Sequence, residues 1–199
     1  MVCASAAASA DELPAPVPHI QTVINEIVAA VALQREQLER DVLAEDFCSA
    51  YALVDRYLRP EFSLHTAGSL MLRQHWPAAV AEQDRFVKAF YGSVVATFGD
   101  LIRYFNADTL RVTPLDDLPE TERLLLSGEM TFNDGKTIGI GLRIRFIDDR
   151  WQIFDIQADE LSYVVDYRDD YLYEIPEIGF DGLVERLEKE AAAYTDCGQ

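Results

Sequence analysis

The chain has 199 residues, 49% of them apolar, with 35 Asp plus Glu against 17 Lys plus Arg and a formal net charge of −18. That apolar share excludes a disordered chain and suits one compact domain. The acidic balance excludes nucleic-acid binding through a basic stripe and simple adsorption on an anionic bilayer. The charge is uneven: residues 1–105 carry 13 acids and 8 bases, net −5, and residues 106–199 carry 22 and 9, net −13.

Residues 1–10 end on Ala8-Ser9-Ala10, the small-residue spacing that signal peptidase accepts, directly before Asp11-Glu12. They read as the remnant of a secretory signal, which leaves 11–199 as a single mature domain. No other stretch approaches the ~18 continuous apolar residues of a membrane span. With Cys3 removed, Cys48 and Cys197 remain; they fit no metal spacing, and two inert thiols are expected. A disulfide between them would require an oxidising compartment.

Pro14, Pro16 and Pro18 form an extended lead-in to a helical part that spans about 18–105. Ile20, Val23, Ile24, Ile27, Val28 and Val31 recur at helical spacing. A second helix carries Val42, Leu43, Phe47, Ala50, Tyr51, Val54, Tyr57 and Leu58 on one side and stops at Pro60. A short helix covers Leu64 to His75. The longest runs from about Ala78 to Phe105, with Phe86, Phe90, Val94 and Phe98 repeating every four residues; Gly92 and Gly99 predict a bend.

The period then changes to that of strands, over about 107–158. Leu124, Leu126, Met130 and Phe132 alternate onto one face. Asn133-Asp134-Gly135-Lys136 is a hairpin signal. The next strand places Ile138, Ile140, Leu142, Ile144 and Phe146 on one face and Arg143 and Arg145 on the other. Asp148-Asp149 turns the chain into Trp151–Ile156, which gives three or four antiparallel strands in a meander. Gly139 and Gly141 predict sheet curvature. Helices from about Leu161 to Ile175 and from Phe180 to Tyr194 close the chain, over about 160–195. Helices, then a meander, then helices define an α+β domain in which one apolar sheet face meets long helices and forms a cone.

Catalytic signatures such as G-x-S-x-G, H-E-x-x-H, Walker A and G-x-G-x-x-G do not occur. His19, His65 and His75 lack metal spacing and fit surface or helix-end roles. Asp155, in Trp151-x-Ile153-x-Asp155, falls on the same strand face as two apolar residues. There it would act as a general base in an apolar cone, or else as a strand-end residue that caps the next helix or pairs with an arginine such as Arg168. The cap-or-pair reading is favoured over the base, because no second polar residue converges on the position.

Two blocks carry a resemblance. The first is Leu72-Arg73-Gln74-His75-Trp76, Glu82-Gln83, Phe86 and Phe90, ending near Leu101-Ile102-Arg103-Tyr104. The second is Trp151–Ile156, Leu161-Ser162, Asp166-Tyr167-Arg168, Ile175 and Gly179-Phe180-Asp181-Gly182-Leu183-Val184 with Leu187. Leu58-Arg59-Pro60-Glu61-Phe62 lies between them. In order and spacing the set resembles the MlaC family, also described as toluene-tolerance auxiliary proteins, over about residues 20–190. The resemblance implies an NTF2-like α+β cone around an apolar pocket, and a periplasmic, monomeric, non-enzymatic carrier with no cofactor other than bound phospholipid. It further implies shuttling between an outer-membrane lipoprotein–porin complex and the lipid-binding domain of an inner-membrane ABC transporter, which maintains outer-membrane asymmetry. Face periodicity then assigns the tail contacts to Phe86, Phe90, Val94 and Phe98 on the long helix, with Leu126, Met130, Ile140, Leu142 and Ile144 opposite them on the sheet. Val164 and Tyr167 close the mouth. The alternatives are a small cone-fold enzyme with Asp155 as base and a ligand-free interaction module.

Overall fold

The computed structural model describes residues 15–98, 111–114, 123–131, 135–158 and 161–198; for Val42, Thr97, Phe98, residues 111–114, Met130 and Thr131 it describes the backbone only. The proposed signal remnant, residues 99–110 of the expected long helix and first strand, and Phe132 to Asp134 of the hairpin lie outside the described residues.

Helix α1 (Pro16–Leu43) opens on a proline, whose fixed φ suits a first helical position. It runs past Val31 and takes in Val42 and Leu43, which the sequence pattern had placed on the second helix. The break comes later, where Glu45 takes φ +58 and the Asp46 carboxylate accepts from the Cys48 N–H at 3.0 Å, so that α2 spans Cys48–Tyr57. Among the described residues, α1 is long and apolar enough by length and composition to cross a membrane, which revises the sequence expectation. Its Ile20, Ile24, Val31 and Leu38 are nevertheless buried within the domain.

Helices α3 (Leu64–Leu72) and α4 (Val80–Phe98) follow. Gly92 on α4 lies against the C-terminal helix: a Cβ there would stand 2.8 Å from Ala191 Cβ and 3.1 Å from Tyr194 Cδ1. Close approach, rather than the expected bend, accounts for that glycine.

Among the described residues five antiparallel strands form one sheet in sequence order: β1 (Arg111–Pro114), β2 (Arg123–Thr131), β3 (Thr137–Ile147), β4 (Arg150–Ala158) and β5 (Leu161–Ser162). The hairpin closes with Thr131 across from Thr137, and Gly135 takes φ +84 in the turn. Leu124, Leu126 and Met130 stand across from Ile144, Leu142 and Ile138, so the two predicted apolar rows share one face. Leu161 and Ser162, expected to begin a helix, instead pair with Ala158 and Gln157 as β5. Ser162 then caps α5 (Tyr163–Glu190), its hydroxyl accepting from the Val165 N–H at 3.1 Å. Pro176 and Gly179, at φ +73, break α5 between Ile175 and Phe180, where two helices were expected. Short α6 (Ala192–Thr195) ends the described chain.

The cysteines are bonded, not free: Cys48 at the start of α2 and Cys197 after α6 form a disulfide across 149 positions of sequence. The folded chain brings them together because Tyr51, Tyr91 and Tyr194 pack in one cluster. The Asp55 carboxylate fastens the same region, accepting from Tyr91 at 2.7 Å and from Tyr194 at 2.7 and 2.8 Å. Cutting this cross-link frees a long loop in the unfolded chain, so Cys197→Ser should lower stability by about 2–5 kcal/mol. Urea unfolding of both proteins with and without reductant checks this: reductant should cost the parent that amount and leave the variant unchanged.

Candidate functional site

The apolar side chains gather into two large clusters, one on the helices and one on the sheet. The helical cluster joins Ala67, Met71 and Leu72 of α3 to Phe86, Ala89 and Phe90 of α4 and to Val164, Tyr171, Ile175, Leu183, Val184 and Leu187 of α5. Its interior is an aromatic stack. Phe86 lies parallel to Phe90 at 5.9 Å and edge-on to Trp76 and Tyr171, and Phe90 meets Tyr167 edge-on at 5.4 Å. Tyr163, Tyr167 and Tyr171 succeed one another every four residues along α5. Burial, with the charges of Tyr163 and nearby acids behind it, pushes the Tyr167 phenol up to about 12. The Tyr171 hydroxyl is buried without a hydrogen-bond partner, and burial raises it above the ordinary phenol range.

The sheet cluster joins Leu126, Leu142, Ile144, Trp151 and Ile153 to Ile20 and Ile24 of α1, with Val28, Phe62, Leu124, Ile140, Phe146 and Ile156 half-buried around it. The sequence had set the aromatic face of α4 opposite this sheet face. The helix that packs on Leu126, Leu142 and Ile144 is α1, whose Ile20–Ile24 spacing was legible but carried no assignment.

The assigned tail contacts therefore divide. Phe86, Phe90, Val94, Val164 and Tyr167 belong to the helical cluster; Leu126, Ile140, Leu142 and Ile144 belong to the sheet cluster. Phe86, Leu126 and Ile144 are wholly buried in core packing, whereas Val94, Tyr167 and Ile140 are half-buried at the cluster margins. The side chains of Phe98 and Met130 lie outside the described residues. Sequence reasoning passed over Tyr171, Trp151 and Ile156, which the clusters include.

Asp155 sits where the two layers meet. The ladder shifts by one residue between Arg143 and Ile144, so that Ile144 faces Ile153 while Arg143 faces Asp155. This bulge turns Asp155 onto the face of Arg143 and away from that of Ile153, which corrects the shared face read from strict alternation. The carboxylate accepts from the Ser162 hydroxyl at 2.6 Å and from the Val164 N–H at 3.0 Å, and Arg143 lies 3.5 Å away. Asp155 is thus a helix cap, as the favoured reading had it, but its arginine is Arg143; Arg168 pairs with Asp169.

His19 bonds Glu61 at 2.9 Å in a part-buried pair, and His65 bonds Asp84 at 2.9 Å at the surface. Among the described residues no group of three or more His, Cys, Asp or Glu side chains is placed to hold a metal ion.

The geometry defines an α+β domain with two apolar faces, one helical and one on a meander sheet, joined through a buried carboxylate. The MlaC protein family model matches residues 21–189, and the chain belongs to the MlaC family. Among solved structures it is similar to the phospholipid-binding protein from Ralstonia solanacearum in complex with a phospholipid, with a TM-score of 0.75 and 16% identity over 93% of this chain and 100% of that one. No curated protein matches the chain.

Removing the Asp155 carboxylate would strand Arg143, the Ser162 hydroxyl and the first turn of α5. Asp155→Ala should cost about 1–3 kcal/mol in urea unfolding, the range for leaving buried donors without their acceptor. A loss below ~1 kcal/mol, the value of a surface pair, would show that the carboxylate does not join the layers.

Proposed function

We propose that the protein is a periplasmic phospholipid carrier that encloses acyl tails in its apolar interior and shuttles lipid between outer and inner membranes, maintaining outer-membrane asymmetry. Membership of the MlaC family over residues 21–189 carries the reading. The fold shared with a protein solved in complex with a phospholipid supports it. So does elementary solvation: two tails hold roughly 30 methylenes, and at ~0.8 kcal/mol each their exposure to water would cost about 24 kcal/mol. A carrier lowers that cost with apolar surface alone.

On this reading the tails lie between the two clusters. Val94 and Tyr167 border them on the helical side and Ile140 on the sheet side, with Phe86, Phe90, Val164, Leu126, Leu142 and Ile144 behind, and Phe98 and Met130 further along the same elements. The headgroup stays near solvent. No catalytic step is assigned, since the Asp155 oxygens are engaged in capping α5. The Cys48–Cys197 disulfide favours an oxidising compartment such as the periplasm. An outer-membrane lipoprotein–porin complex and the lipid-binding domain of an inner-membrane ABC transporter are the partners this function requires.

Organic extraction of the purified protein followed by lipid mass spectrometry tests the proposal. Near-stoichiometric phospholipid is expected. Val94→Asp and Ile140→Asp, at half-buried margins, should fold with unchanged circular dichroism and carry far less lipid. An empty parent protein would favour a ligand-free interaction module, and full lipid content in both folded variants would place the tails elsewhere.

A further inference from the structure

We propose that the buried hydroxyl of Tyr171 donates to an ester carbonyl of the bound lipid and so selects ester-linked tails over ether-linked ones. The inference rests on the carrier reading above and names the group of the lipid that this side chain recognises.

Tyr171 is 1% exposed, and among the described residues its oxygen has no hydrogen-bond partner. Its surroundings supply none. Phe86 and Phe90 stand edge-on to its ring at 6.1 and 6.4 Å, and the other buried members of the helical cluster offer only hydrocarbon or thioether. The Arg186 guanidinium lies 5.6 Å from the ring centroid, but it has no acceptor atom and donates to Glu174 and Glu190. A phenylalanine would fill the same volume without stranding a donor, and a stranded buried donor lowers stability. Within the chain the hydroxyl is only a cost. An acceptor brought by a ligand would satisfy it.

Position narrows the acceptor. Tyr163, Tyr167 and Tyr171 follow one another along α5 with ring centroids 6.4 and 5.6 Å apart, half-buried at the first two and buried at the third. Tyr167 borders the tails on the carrier reading, and Tyr171 stands one helical turn, about 6 Å, further along. The ester carbonyls of a phospholipid lie between its phosphate and its tails. With the headgroup near solvent, they cross the same boundary from half-buried to buried. The Tyr167 ring screens Tyr171, and the carbonyl reaches the hydroxyl when that ring turns aside.

Charge narrows it further. Burial first, then the charges of Tyr167, Glu190 and Glu174, raise the Tyr171 phenol above its ordinary range, with Arg186 opposing them. The phenol therefore stays a neutral donor, and the same acids disfavour an anion beside it. A neutral ester oxygen fits this place, whereas the carboxylate of a free fatty acid would be repelled. An ether-linked lipid has the same tails and headgroup but lacks the carbonyl.

The test strips the full-length protein of lipid with detergent and loads it from an equimolar mixture of dipalmitoyl phosphatidylethanolamine and its dihexadecyl ether analogue. Both lipids are then extracted and quantified by mass spectrometry. The parent should hold the ester over the ether at least about threefold, the scale of one neutral hydrogen bond. Tyr171→Phe should still fill with lipid but lose the preference, and once stripped it should unfold at higher urea than the stripped parent. Tyr173→Phe, at an exposed position on the same helix, should keep the preference. Equal loading of both lipids by the parent overturns the proposal and leaves the carrier reading intact. So does a Tyr171→Phe protein that keeps the preference, or one less stable than the stripped parent, which would reveal a partner for the hydroxyl within the chain. Uptake of neither lipid contradicts the carrier reading, and the proposal with it.

Discussion

Asp155 presents no side-chain surface to water, and an isolated carboxylate in such a place would be costly by several kcal/mol. Its partners explain how it is tolerated and what it accomplishes. One oxygen holds the Val164 amide and the other the Ser162 hydroxyl, which itself caps Val165. Through these bonds the last strands fix the start of α5, and Val164 enters the helical cluster one residue later. The sheet side of the same carboxylate faces Arg143 on β3. One buried charge therefore ties the start of α5, and with it Val164 of the helical cluster, to strands β3 and β4 of the sheet.

Much of the architecture was legible because local periodicity survives in the folded chain. The alternating rows of β2 and β3 and their antiparallel pairing are such features, as is the break of α5 at Gly179, and each depends on residues close in sequence. What was missed depends on residues far apart. Strict alternation put Asp155 with Ile153, but one bulge opposite Arg143 reversed its face, and a bulge has no mark in Trp151–Ile156. The disulfide joins positions that only the packing of α6 against α2 and α4 brings together. The face of Ile20 and Ile24 was plain, yet nothing in sequence says that α1 rather than α4 lies on the sheet. Gly92 was read as a weakness in a helix when its meaning lies in Ala191.

The chain is strongly acidic, at a formal net charge of −18. In the folded chain Arg85 and Arg186 pair with acids of α5, and Arg143 pairs with Asp155. An acidic surface keeps its distance from anionic bilayers within about 8 Å at physiological salt. On the proposed reading, delivery then depends on docked proteins rather than on random collision with membranes.

The central claim is that acyl tails lie between the helical and sheet clusters. The two tryptophans report on it, since Trp76 packs against the first and Trp151 belongs to the second. Phospholipid with brominated acyl chains, a short-range quencher, should be loaded into Trp76→Phe and Trp151→Phe proteins, each left with a single fluorophore. Quenching of both, relative to unbrominated lipid, is the predicted result. Bound brominated lipid that leaves both tryptophans bright would contradict the account.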